Sequence, residues 1–201
     1  MVLAALAVLP TLQSPDTQYL RGVAQHTWAC IQSLEEPTTG IPYDNSDRGE
    51  FTSTSNIGIY MTSVYCAHRL GFITRADAVT KLNKTIRSVV RLQAWFGFHQ
   101  TWNSVRALTP GTNDRWVSVL DSGNLYASLL LIAQAYPELA PPANALLDRH
   151  DWSAFYDKDR SALYGGYNTE TRKFNKDWKL DTLGTDAALA QFFCIAKGVA
   201  P

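Results

Sequence analysis

The sequence carries no surplus of either charge. Lys+Arg and Asp+Glu each number 18 in 201 residues. A nucleic-acid binder normally shows a basic excess gathered on one face, and no basic cluster with interleaved aromatics is present, so nucleic acid is not an expected partner. Neither a GxGxxG run nor a P-loop occurs, which leaves no nucleotide-phosphate cradle. The GxSxG elbow is missing, which disfavours serine-hydrolase chemistry. Cysteine is scarce, with Cys30, Cys66 and Cys194 alone. An odd number cannot pair completely within the chain, and no CxxC or Cys/His spacing suggests zinc. All three fall in helical patterns, where each reads as a small buried hydrophobe. The four histidines are scattered, so no metal site is expected.

Long hydrophobic runs are also lacking. Met1 to Leu12 is apolar but has no basic leading region and is too short to span a bilayer. Residues 1–14 therefore read as an N-terminal arm or the remnant of a signal peptide, with residues 15–201 forming one domain. No membrane partner is expected. A secreted or periplasmic location fits the apolar start, and a cytoplasmic one stays open. Asn83-Lys84-Thr85 fits a glycosylation sequon but sits on a predicted helix, and such triplets arise by chance.

Hydrophobic residues make up 46% and charged residues 18%, a balance that implies a packed core rather than disorder. Apolar residues recur at helical spacing in six segments. The first runs from about Asp16 to Leu34, with Leu20, Val23, Ala24, Trp28, Ile31 and Leu34 as its stripe. The second runs from about Ser55 to Leu70 and stops at Gly71. The third opens at Thr74 with Asp77 in a capping-box arrangement. The fourth begins near Asp121 or Ser122. It is apolar nearly all round from Leu125 to Ala135, as a helix buried on every side should be. The fifth is short, from about Pro141 to His150. The sixth runs from about Thr185 to Lys197.

The second, fourth and sixth helices share a style. Each follows a long aromatic-rich loop and opens on small polar residues: Thr54-Ser55-Asn56-Ile57-Gly58, Asp121-Ser122-Gly123-Asn124-Leu125 and Gly184-Thr185-Asp186-Ala187. Ser55, Asp121 and Thr185 read either as ordinary N-caps or as donors and acceptors for a ligand at first turns with unpartnered N–H groups. The returns to the third and fifth helices are tight. This is a weak internal repeat of roughly 65 residues, longer than common solenoid periods of about 20–50. It implies a mainly α fold of stacked helical hairpins, either superhelical or of α/α toroid type. A small β-hairpin is expected near 155–175, where short alternating pieces lie between turn signals. The loops at 41–54, 97–121 and 152–184 would share one face, where function concentrates.

Six Trp and nine Tyr, many in those loops, suit the apolar face of a sugar as well as the edge of a core. Glycoside cleavage needs two carboxylates, about 5–5.5 Å apart for retention or about 6.5–9.5 Å for inversion. Candidates on the loop face are Asp44, Asp47, Glu50, Asp114, Asp121, Asp177, Asp181 and Asp186. Asp121 and Asp186 begin helices, where the dipole suits a base or a sugar-hydroxyl acceptor. Glu50 and Asp44 are freer to act as the acid. The catalytic candidates are thus Asp121, Asp186 and Glu50. The substrate-binding candidates are Asp44, Asn56, Trp102, Asn103, Trp116, Ser122, Asn124 and Tyr167, with Trp102, Trp116 and Tyr167 as stacking platforms.

Several of these segments resemble a known family. Thr52-Ser53-Thr54-Ser55-Asn56-Ile57-Gly58, followed by Ala67-His68-Arg69-Leu70-Gly71, resembles the opening of the glycoamylase-like domain of cyclic β-1,2-glucan synthases and related β-1,2-glucanases. Trp102-Asn103 and the run Arg115-Trp116-Val117-Ser118-Val119-Leu120-Asp121-Ser122-Gly123-Asn124-Leu125 are similar to a second stretch of that family. Gly165-Gly166-Tyr167, Leu183-Gly184-Thr185-Asp186-Ala187-Ala188-Leu189-Ala190 and Ala196-Lys197-Gly198-Val199-Ala200-Pro201 are similar to a third. The resemblance implies an (α/α)6 toroid acting on β-glucan chains without a metal or organic cofactor. The sequence departs from the pattern at Ser104-Val105, where the family has Tyr-Asp. It departs again at Asp186-Ala187-Ala188, where the family has Glu-Ala-Arg. It holds about three of the six hairpins such a toroid needs. The expected function is a glycoside-hydrolase-type protein that takes polysaccharide or oligosaccharide. The alternative is a non-catalytic sugar-binding or structural half-toroid, which could self-associate into a homo-oligomer to cover apolar helix flanks.

Overall fold

The computed structural model describes residues 15–112, 115–180, 184–185 and 187–201. The arm at 1–14 and the candidates Asp114, Asp181 and Asp186 lie outside the described residues. In chain order the elements are α1 (Pro15–Ser33), β1 (Phe51–Ser53), α2 (Thr54–Arg69), α3 (Arg75–Arg91), β2 (Ala94–Trp95), β3 (Phe98–His99), β4 (Trp102–Ser104) and β5 (Trp116–Ser118). There follow α4 (Val119–Ala135), α5 (Ala140–Leu147), β6 (Tyr156–Asp157), β7 (Ala162–Tyr164), β8 (Gly166–Asn168), β9 (Lys173–Phe174), β10 (Lys179–Leu180) and α6 (Ala188–Ala196). The fold is mainly α. α2 and α4 pack on each other most extensively; α2 also meets α1 and α3, and α4 also meets α5 and α6.

The 65-residue repeat is written into the hydrogen bonds. Ser53 caps α2 by accepting from the Asn56 N–H, and Ser118 caps α4 by accepting from the Asp121 N–H. Each cap ends a three-residue strand that leads directly into its helix. β1 pairs antiparallel with β4, Ser53 opposite Trp102, and β5 pairs antiparallel with β8, Ser118 opposite Gly166. The first helical N–H then bonds beyond the ladder in both cases, Thr54 to the Thr101 carbonyl and Val119 to the Gly165 carbonyl. A strand pinned on its partner thus fixes where each helix starts and holds both first turns at the same end of the pair.

Two glycines let the helices come close. A Cβ on Gly58 would lie 2.8 Å from the Asn124 carbonyl oxygen, and one on Gly123 would lie 3.0 Å from the Ala190 nitrogen. α2, α4 and α6 therefore meet backbone to backbone near their N-terminal ends. Around this contact Ile57, Met61, Leu125, Leu129 and Ile132 are fully or almost fully buried. The loop after α1 is held by Glu35, whose carboxylate accepts from Lys81 Nζ at 2.5 Å, Lys84 Nζ at 3.1 Å and Tyr60 hydroxyl at 2.6 Å. Burial pushes its pKa up, but these donors outweigh that and hold it below the usual carboxylate value. Thr74 and Asp77 form the capping box that the sequence indicates at α3.

Several expectations are corrected. The caps are Ser53 and Ser118 rather than Ser55 and Asp121, because the lead-in strands start each helix earlier. α6 begins at Ala188 and has no side-chain cap, though the Thr185 hydroxyl accepts from the Ala187 N–H. The hairpin expected near 155–175 is present as two, β6–β7 and β8–β9, which extend into two three-stranded sheets, β10-β7-β6 and β5-β8-β9. Gly165 marks the switch between them: a Cβ there would lie 2.2 Å from the Trp178 ring. α4 is not buried on every side, since Leu130 is exposed and Leu120, Ala127 and Leu131 are half-buried. On α1 only Trp28 is buried, and Leu20 and Val23 face solvent. Of the cysteines only Cys194 is buried. Thr85 of the sequon is fully buried and bonds the Gly40 carbonyl.

Candidate functional site

The first turns of α2 and α4 bring four polar side chains together. The Ser55 hydroxyl donates to Asp121 Oδ1. Asn124 Nδ2 approaches the same hydroxyl at 3.4 Å. Beside Ser55, Asn56 Nδ2 donates to Asp44 Oδ1 at 2.6 Å. This ties the loop at 41–50 to α2. Ser55, Asn56, Asp121 and Asn124 are half-buried, and Asp44 is exposed. One turn further down, the Ser128 hydroxyl donates to the Gly58 carbonyl at 2.7 Å and sits 3.0 Å from the Thr62 hydroxyl. The polar seam between α2 and α4 therefore continues below the rim.

Asp44 also borders a cleft of about 380 Å³. Phe51 and Trp102 give it an aromatic wall, and Glu50, Asn45 and Thr112 give it polar edges. Rings beside acceptors and donors make a surface that fits a sugar, with its apolar face on the ring and its hydroxyls on the edges. The cleft exists because the β1–β4 ladder sets Phe51 opposite Ser104 and Ser53 opposite Trp102, which leaves Phe51 and Trp102 as diagonal neighbours that both line it.

The other candidates lie deeper. Ser122 is buried, and its hydroxyl donates to the Ser118 carbonyl. Asn103 is fully buried and donates to the Gln100 carbonyl at 2.6 Å. Among the described residues its side-chain oxygen has no hydrogen-bond partner. Tyr167 is 8% exposed, with its ring packed against Phe96 and Phe174. These three support the rim from beneath rather than presenting a face to the cleft. Trp116 is half-buried on β5. Asp47 and Asp177 are exposed loop residues, and each main-chain N–H is turned onto a neighbouring Asn side chain. Among the described residues no cluster of His, Cys, Asp and Glu has the makings of a metal site, and no helix is long and apolar enough to cross a membrane.

Ser55, which the sequence offers either as a cap or as a ligand-facing donor, is instead the hydrogen-bond donor to Asp121. The repeat held the signal, since Ser55 and Asp121 occupy the first turns of equivalent helices. Phe51 and Thr112 were not singled out. They reach the cleft only through strand pairing that local sequence does not reveal.

Over 133 residues, 63% of its length, the chain is 31% identical to the cyclic β-(1,2)-glucan synthase NdvB of Rhizobium meliloti (strain 1021). That match spans 5% of the synthase, so the chain corresponds to a small part of that relative. Its fold is similar to that of a β-1,2-glucanase from Parabacteroides distasonis, with a TM-score of 0.72 and 19% identity over 79% of this chain and 25% of that one. It is also similar to an endo-β-1,2-glucanase from Chitinophaga pinensis in a complex with sophorotriose and glucose, with a TM-score of 0.65 and 13% identity over 77% of this chain and 41% of that one. The resemblance seen in the sequence, to glycoamylase-like domains of glucan synthases and glucanases, is thus met both by a sequence relative and by solved folds. Residues 22–190 match the family described as protein of unknown function DUF3131, and the chain belongs to that family.

Proposed function

We propose that this chain is a carbohydrate-active module of glycoside-hydrolase type that grips a β-glucan along the rim formed by the N-terminal ends of α2 and α4. The observation that carries the reading is the continuity of that rim. The Ser55–Asp121 and Asn56–Asp44 hydrogen bonds sit side by side and lead into the Phe51–Trp102 cleft. The sequence relative is a β-1,2-glucan synthase and two solved folds are β-1,2-glucanases, which favours β-1,2-linked glucan as the ligand. The helical pairs form about half of an (α/α)6 toroid, with the decorated loops on its mouth.

In this reading Asp121, oriented by Ser55, is the base or the acceptor of a sugar hydroxyl. Glu50 at the cleft edge is the acid, and Asp186 is the further carboxylate from the third helix entrance. Trp102 stacks one glucosyl unit and Trp116 another, while Asp44, Asn56 and Asn124 take hydroxyls. Glucosidic cleavage would need the acid to protonate the leaving oxygen while a second carboxylate serves the opposite face of the ring.

The second reading is binding without cleavage. It is favoured by Ala188, the first residue of α6, which stands where the similar family has Arg, and by Asp186 standing where it has Glu. Calorimetry with β-1,2-linked gluco-oligosaccharides, followed by chromatography of the same mixture, separates the two. Heat of binding with shorter products supports hydrolysis, heat without products supports the second reading, and no heat removes both.

A further inference from the structure

Beside the Phe51–Trp102 cleft lies a second cavity of about 380 Å³, and Gly49 and Glu50 border both. Its other walls include Tyr43, Ser104 and two arginines, Arg48 and Arg106. Tyr43 is buried, and each guanidinium carbon sits 5.9 Å from the centre of its ring. Two positive charges thus converge on one aromatic ring, which steadies both. Arg106 also donates to the Tyr43 hydroxyl, through Nε at 3.2 Å and Nη2 at 3.0 Å, and Arg48 donates to the Ser33 carbonyl at 3.1 Å. Arg48 does so from a left-handed backbone, φ 52°, an uncommon conformation for a residue other than glycine.

Among the described residues neither arginine is neutralised by an ion pair. Glu36, which Arg106 influences electrostatically, is buried and already engaged: its Oε2 accepts from the Thr38 and Thr39 N–H groups at 2.8 and 2.7 Å. Glu50 borders the cavity without pairing with either arginine. A guanidinium offers more N–H donors than these bonds consume, in a fork that fits carboxylate or phosphate. The Ser104 hydroxyl accepts from the Ala107 N–H at 3.1 Å, which leaves its own proton to donate.

We propose that this cavity binds an anionic sugar unit, with its carboxylate or phosphate on Arg48, Arg106 and Ser104 and a neighbouring hydroxyl on Glu50. A bare inorganic anion would satisfy the arginines but leave Glu50 facing a like charge. A ring hydroxyl beside the anionic group gives Glu50 a donor instead. The volume also suits a small organic ligand rather than a lone ion. Because the cleft adjoins the cavity, a glucan seated on Trp102 would pass Glu50 and carry an acidic unit or substituent onto the arginines. That link to the glucan rests on the carbohydrate reading, whereas the anionic-sugar site rests on the arginines, Ser104 and Glu50.

Calorimetry at low salt, with glucose, glucuronate, glucose 6-phosphate and inorganic phosphate as separate probes, tests it. The two charged sugars should bind with dissociation constants of about 1–10 mM, at least about tenfold tighter than glucose, and added salt should weaken them. Inorganic phosphate should bind more weakly than glucose 6-phosphate. Arg48→Gln and Arg106→Gln together should weaken both charged sugars by at least about tenfold, with an unchanged circular-dichroism spectrum. Glu50→Gln removes the like charge and should strengthen inorganic phosphate by about threefold, a gain that a damaged fold cannot imitate. A neutral β-1,2-linked gluco-oligosaccharide probes the cleft separately: if it fails to bind while glucuronate binds, the glucan reading falls and the anionic-sugar site is supported. The proposal is overturned if neither charged sugar binds, if the double arginine variant retains them, or if Glu50→Gln brings no gain. Inorganic phosphate binding as tightly as glucose 6-phosphate assigns the cavity to a free anion and overturns it equally.

Discussion

Ser55 on α2 donates its hydroxyl to Oδ1 of Asp121 on α4, 66 residues further along the chain. The bond joins the first turns of two helices that enter from equivalent strands, and it orients the carboxylate on which the proposed chemistry centres. Ser55→Ala removes the donor and leaves the cap Ser53 untouched. A hydrogen bond to a charged group is worth about 1.5–3 kcal/mol. The variant should therefore lose roughly tenfold or more in kcat/KM on β-1,2-glucan, while its melting temperature falls by only about 3–12 °C and the fold is retained. Steady-state kinetics beside a thermal melt would check this. Full activity in the variant would detach Ser55 from the site.

Trp102 should act through binding. It is half-buried at the cleft wall, and a stacked sugar would lose its platform in Trp102→Ala. An affinity loss of about tenfold for gluco-oligosaccharides is expected, measured by calorimetry. An unaltered dissociation constant would place the ligand elsewhere.

Gly58 tests the close approach of α2 and α4. A methyl there meets the Asn124 carbonyl oxygen at 2.8 Å and the Leu125 Cα at 2.9 Å, which are backbone atoms and cannot swing aside. Gly58→Ala should destabilise by about 1–3 kcal/mol, despite the better helix propensity of alanine. Chemical denaturation would show it, and a stabilised variant would contradict the packing described.

Acid should loosen the fold through His150. Burial pushes its pKa down to about 4, although Nδ1 lies 2.9 Å from the Leu146 carbonyl. The ring is enclosed by Phe98 and Tyr126. Burial likewise lowers His99. Unfolded histidine binds its proton near pH 6.5 and folded His150 only near 4, so the unfolded state takes up more protons between those values. Stability should be full above about pH 6.5 and fall toward pH 4, by about 3 kcal/mol from His150. Denaturation midpoints across that range should show a shallower slope in His150→Gln. Identical slopes would rule out His150 as the source.

Much of this architecture is legible from short range. The Thr74–Asp77 capping box, the stop at Gly71 with its positive φ and the repeat itself rest on spacings of a few residues or on two matching segments. The hairpin region near 155–175 was legible from its turn signals, but β1 and β5 were not, because each is three residues long and gains its identity from a partner about 50 positions away, as Ser53 does from Trp102. The run Thr52-Ser53-Thr54-Ser55 offers four hydroxyls for one cap, and only the β1 ladder selects Ser53. At the site, Asp44, Asn56, Asp121 and Asn124 could be named from loop position and helix starts. The burial of Ser122, Asn103 and Tyr167 could not, since it depends on which way each strand or helix faces its neighbour.

The most direct test of a glucan-gripping rim is the comparison of wild type and Asp121→Asn on one β-1,2-linked oligosaccharide, with binding heat and product formation recorded together. The account expects the wild type to bind and the variant to lose cleavage, binding or both, while its circular-dichroism spectrum and melt match those of the wild type. Equal heat and equal product from the two proteins would contradict it.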